Sequence, residues 1–255
     1  MKRWIGLVLK EWAQMKSKLI FFVFLNNLLL FWGVTHFVLG VSEGFFTSVQ
    51  PNIGVCFTLH LIMAITMLFE SLGKDVNRPD IWFHTPASVR QLVGAKFVLI
   101  GLTVVCSLVL WELIAGILYV IGGVVSVWGD VDLMLTVGVV ILLNVVYVMA
   151  LVFFFWSIYQ VFRSRIGWVS IPIIIVLVGV WLYGWALVWF TEVFQTFMNM
   201  GPMYGPIQTV DLLMFNNYII PGGTILTVGS LILYGLLTLF YFVMGSMLFE
   251  KKVRL

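Results

Sequence analysis

What this chain most lacks is charge. Only 10% of its 255 residues are Asp, Glu, Lys or Arg, against about 25% in an ordinary globular domain. Too few polar side chains remain to clothe a water-facing surface, which argues against a soluble domain, a disordered chain and a nucleic-acid binder. Cysteine is almost missing: Cys56 and Cys106 stand in separate apolar runs, with no spacing for a disulfide framework or a zinc site. The soluble catalytic motifs are missing as well. There is no G-x-x-x-x-G-K-[ST], so the chain has no P-loop for ATP, and no H-E-x-x-H. His36, His60 and His84 are far apart in sequence, and no paired-acid motif of an embedded enzyme is visible. The sequence therefore offers no catalytic residue and no metal site.

What is present is hydrocarbon. Hydrophobic residues make up 62% of the chain, in runs long enough for the roughly 20-residue crossing that a bilayer requires. The runs are continuous rather than alternating, so they read as helices and not as a barrel. Six spans are expected, near Leu19–Leu39, Ile53–Phe69, Phe97–Val120, Leu133–Tyr159, Gly167–Phe190 and Thr224–Phe249. The expectation is an all-α polytopic membrane protein, with residues 1–255 forming one transmembrane domain.

The placement of the few charges supports this count. All 14 Lys and Arg precede the first span, follow the sixth, or lie between spans two and three or four and five. The opposite loops hold Glu43, Asp130, Asp132, Glu192 and Asp211 and no basic residue. The positive-inside rule then puts both termini in the cytoplasm. Residues 1–18 read as an interfacial helix rather than a cleaved signal: Lys10 and Glu11 close the short apolar run Trp4–Leu9. At helical spacing Trp4, Ile5, Val8, Leu9, Trp12 and Met15 share a face, the pattern of a basic amphipathic helix lying among headgroups. The plainer alternative is a positively charged flank of span one. An external loop at 191–223 carries an apolar stretch, Gln208–Tyr218, that reads either as a short dipping helix or as a mobile loop.

The cytoplasmic loop at 70–96 is the informative one. Thr85 suits an N-cap and Pro86 a first helical position, so a helix is expected to start near Pro86 and run into span three. Before it, Ile81, Trp82 and Phe83 make an apolar cluster on a charged loop. Such a cluster reads equally as a docking surface and as headgroup-belt aromatics. The order Phe83, Pro86, Ser88, Arg90, Leu92, Val93, Lys96 resembles the corresponding loop of ABC-2 type transporter permeases. Six spans, cytoplasmic termini, an N-terminal interfacial helix and a large external loop between spans five and six extend the resemblance over essentially the whole chain.

The resemblance implies a coupling helix between spans two and three. A separate ABC ATPase, in two copies, would dock there through Ile81, Trp82, Phe83, Pro86, Ser88 and Arg90, with Asp75, Arg78 and Asp80 adding to a polar rim. It also implies a second permease chain as partner. ATP and Mg would sit on the ATPase, and no cofactor on this chain. The location implied is a bacterial plasma membrane.

Within the spans, Glu112 lies about 24 Å beyond Lys96 along a helix. It faces either a substrate path or a polar group in the bundle. Asn26, Asn27 and Asn144 read first as interhelical hydrogen-bonding residues. Trp181, Trp185 and Trp189 share one helix face, which reads as core or lipid-facing more readily than as a path for apolar cargo. Asn26, Asn144, Glu112, Trp181 and Trp185 are the candidate substrate-path residues. The leading functional expectation is an exporter permease for a hydrophobic or amphipathic cargo, above all a peptide (antimicrobial, bacteriocin or cytolytic). The alternatives are an integral lipid-modifying enzyme and a non-transporting membrane module that binds an ATPase.

Overall fold

The computed structural model of the protein describes residues 2–38, 45–76, 88–121, 127–201 and 227–253. They are 96% helical. The helices are α1 (Lys2–Val38), α2 (Phe45–Val76), α3 (Val89–Ile121), α4 (Val127–Ile166), α5 (Ser170–Trp189), α6 (Glu192–Met198) and α7 (Val228–Val253). Among the described residues, four helical stretches are long and apolar enough to cross a membrane: Gly54–Val76, Val89–Ile114, Leu135–Trp189 and Val228–Lys251. The chain is a helical membrane protein.

The third of these stretches is 55 residues long, far beyond one crossing. It is interrupted where α4 ends. Gly167 adopts φ +63°, the left-handed conformation that lets glycine close a helix. A single 3₁₀ turn, Gly167–Val169, then leads into α5. Arg163 and Arg165 occupy the last turn of α4, where cations complement the carbonyl end of the helix dipole.

The first expected span and the expected interfacial helix are not separate elements. Residues 2–38 form one helix of 37 residues, about 55 Å long, and it is not among the four apolar stretches. The proposed amphipathic face also divides differently. Trp4, Ile5, Leu9 and Trp12 are exposed, whereas Glu11, Met15 and Leu19 are buried. Spacing of four and four puts these three on one stripe, and that stripe packs on α2 and α3. The first half of α1 is thus part of the bundle, because a polar residue on its inner face has partners there.

The main core runs through α1–α4 and includes Met15, Leu19, Met63, Met67, Val93, Ile100, Val145 and Phe153. Helix α7 lies along α4 at very short range. A Cβ added at Gly245 would stand 2.9 Å from Phe153 Cδ1 and 3.2 Å from the Phe154 Cα, so only glycine permits this approach. At the other end of α7, Val228 N and Gly229 N donate to the carbonyls of Gly201 and Met200, and Thr227 Oγ1 donates to Met198 O at 2.5 Å. These bonds fasten α7 to the end of α6. The outer faces of α1, α5 and α7 expose Phe24, Ile175, Val180, Leu236 and Leu239. Such broad apolar surface demands hydrocarbon around it.

Candidate functional site: a buried ion cluster and a lateral groove

The basic ends of α1, α2 and α3 meet at Lys96, whose side chain is 0% exposed. Its ammonium contacts Glu11 Oε1 at 2.8 Å and Asp75 Oδ2 at 2.8 Å. It also donates to Ser71 Oγ, and Ser71 in turn donates to Glu11 Oε2 at 2.7 Å. Lys10 approaches the other oxygen of Asp75 at 3.7 Å. Two ammonium groups therefore face two carboxylates, and the ammonium of Lys96 has three partners. A buried charge is tolerated only with such pairing. At the edge of the cluster Glu70 pairs with Lys18 and, at 2.8 Å, with Lys74.

This arrangement corrects the expectation for Asp75. Asp75, expected in a polar rim around the docking surface, is buried and faces Lys96. Asp75 stands one residue before the end of α2, and Lys96 stands two turns into α3. The cluster thus ties together both ends of the 77–87 connection and fixes them to α1 through Glu11. Ile81, Trp82, Phe83 and Pro86 of the expected docking surface lie outside the described residues, as do Arg78 and Asp80.

Helix α3 is described from Val89, and its cap is Ser88 rather than Thr85. Gln91 N donates to Ser88 Oγ at 3.3 Å, while Ser88 N donates to Gln91 Oε1 at 3.2 Å. This is a reciprocal capping box, present in the sequence as Ser88-Val-Arg-Gln91. Arg90, in the first turn, is exposed.

Fifteen residues separate Glu11 from Asn26, and fifteen separate His60 from Asp75. On helices running in opposite directions this sets Asn26 and His60 at one level, about 22 Å from the ion cluster. They meet there: Asn26 Nδ2 lies 3.5 Å from His60 Nε2. His60 Nδ1 is 2.7 Å from Cys56 O. A carbonyl only accepts, so Nδ1 carries the proton and Nε2 accepts from Asn26. Asn26 is therefore an interhelical bond between α1 and α2.

Glu112 on α3 points at α4. Its Oε1 is 2.6 Å from where a Cβ at Gly138 would stand, so the carboxylate fills a notch that the missing side chain leaves. Trp181 donates to Tyr241 on α7 at 2.9 Å and stacks on Trp185 with ring centroids 6.1 Å apart. Trp185 in turn meets Phe194 on α6. The tryptophan stripe is the inner face of α5.

Asn144 donates to Val140 O at 2.9 Å and borders a groove of about 580 Å³ between α3, α4 and α7. The groove walls are nearly all apolar. Among the expected path residues, the structure brings Asn144 alone to this groove; Glu112, Asn26, Trp181 and Trp185 serve helix contacts elsewhere.

No protein-family model, no curated protein and no solved structure matches the chain.

Sequence reasoning missed the ion cluster as a unit. Its signal was present in the positions of the acids. Glu11 heads the buried stripe with Met15 and Leu19, and Ser71 and Asp75 are spaced by four on α2.

Proposed function

We propose that this chain is the membrane subunit of an ATP-driven ABC exporter. The reading has six spans, α1 supplying the first and the Gly167 turn dividing α4 from α5, with both termini in the cytoplasm of a bacterium. Two such chains and two copies of a separate ATPase, which carries ATP and Mg, make the working unit. The cargo is hydrophobic or amphipathic, a peptide first among the classes that suit apolar helices.

One observation carries this reading: the buried cluster Lys96–Glu11–Asp75–Ser71. An exporter that borrows its ATP chemistry must receive force on a cytoplasmic connection and pass it to its spans. The 77–87 connection leaves α2 just after Asp75 and enters α3 two turns before Lys96. A push on it is delivered at once to α1, α2 and α3, because their ends are one charge-paired body. The aromatic pair Trp82 and Phe83 supplies the apolar anchor for a cleft on the ATPase, as interface centres commonly do.

The test is co-expression with a P-loop ATPase encoded beside the gene. The double substitution Trp82→Ala/Phe83→Ala is expected to reduce the ATPase retained on the purified chain by at least about tenfold, given the ≥2 kcal/mol typical of an aromatic anchor. Undiminished retention contradicts the docking surface.

A further inference from the structure

The groove between α3, α4 and α7 has a shape that the exporter reading does not use. Along α7 it is lined from Ser230 to Phe242, a length of about 18 Å. That is close to the hydrocarbon depth of one leaflet, about 15 Å. Its floor is cut by missing side chains: a Cβ at Gly235 would meet nothing within 4 Å. Its basic end is closed by Trp4, whose indole stands 3.0 Å from where a Cβ of Gly94 would lie. Phe97 and Phe242 pack there with ring centroids 5.3 Å apart.

Two further features say what covers it. The rim on α7 includes Leu239, which is more than 60% exposed, so the mouth opens sideways into bilayer rather than toward water. Only 17% of the α7 span is buried, against 39–44% for the other three. Trp4 follows Lys2 and Arg3 in the first turn of α1, and Trp is the residue that sits at headgroup level. Basic residues at that level attract anionic headgroups.

We infer that the groove is a binding site for one acyl chain of an anionic phospholipid, with Trp4 at the level of the glycerol and Lys2 and Arg3 serving the headgroup. This rests on the chain's being a membrane protein and not on the exporter reading.

The experiment uses the full chain in phosphatidylcholine vesicles doped with phosphatidylglycerol carrying a photoactivatable acyl chain, with labelled residues mapped by mass spectrometry. Labelling is expected to concentrate on groove residues such as Leu143 and Thr238, several-fold above the equally apolar outer face of α5 at Val180 and Leu187. Gly235→Phe and, independently, Thr238→Trp fill the groove and should abolish that excess while the α5 labelling persists, which also reports correct insertion. Lys2→Gln/Arg3→Gln should remove the preference for phosphatidylglycerol over a phosphatidylcholine probe, by about fivefold for each basic residue. Equal labelling of groove and α5 overturns the proposal, as does excess labelling that survives both filling variants. A groove shielded while α5 is labelled places protein in it instead, and overturns the proposal too.

Discussion

Lys96 is the residue on which the basic end of the bundle depends. Replacing it with methionine keeps most of the apolar stem but leaves Glu11 and Asp75 facing each other, buried and without their shared ammonium. Breaking a buried pair in this way costs about 3–5 kcal/mol. We expect Lys96→Met to lower the thermal unfolding midpoint of the purified protein sharply, and to do so less when Asp75→Asn is already present, since the two changes remove one interaction. Lys18→Ala, which breaks a contact between more exposed groups, should shift the midpoint far less, because such pairs contribute about 0–1 kcal/mol. Equal effects of Lys96→Met and Lys18→Ala would deny the cluster its structural role. The difference between the sites is burial, which the sequence does not display. Lys96 reads from sequence as one more basic residue marking the inner face. Only the convergence of Glu11, Ser71 and Asp75 from two other helices shows it as the centre of a network.

At the scale of elements, periodicity and apolar length made the helices legible. The runs at Ile53–Phe69, Phe97–Val120, Leu133–Tyr159 and Gly167–Phe190 each fall inside or along a described helix. Boundaries were less legible. The first eighteen residues read as an element apart because their charges differ from the run that follows, yet no glycine or proline stands at the junction to break the backbone, and α1 continues through it. The start of α3 shifted to Ser88 because two capping candidates compete within four residues, and Gln91 gives Ser88 the reciprocal bond. Apart from the interhelical role of Asn26, contacts between helices were not legible. Nothing in the pattern of α7 distinguishes Gly245, pressed on Phe153 and Phe154, from Gly235, which faces open space. The same substitution separates them: Gly245→Leu must force α7 away from α4, an overpacking cost of about 1–3 kcal/mol or more. Gly235→Leu should leave the unfolding midpoint unchanged or raise it slightly, as glycine to a good helix former does in open space. Equal losses at both positions would contradict the packing of α7 on α4.

For the whole molecule, the scarcity of charge acquires a distribution. The apolar outer faces belong to the bilayer. Among the described residues, the paired charges inside the bundle gather at one end, where α1, α2 and α3 are joined through Lys96, while Glu112 stands apart against α4. Under the exporter reading, a joint of this kind is placed to receive motion from a partner. Under the exporter reading the joint is the transmission, so loosening it should uncouple the two halves without separating them. The most direct measurement is ATP turnover by the complex of this chain with its neighbouring ATPase, reconstituted in vesicles and titrated with an amphipathic peptide. The account predicts that peptide stimulates turnover, and that the charge-neutral pair Lys96→Met/Asp75→Asn retains the bound ATPase and its basal turnover while losing the stimulation. An ATPase that does not associate with the chain, or a turnover indifferent both to peptide and to the state of the joint, would contradict it.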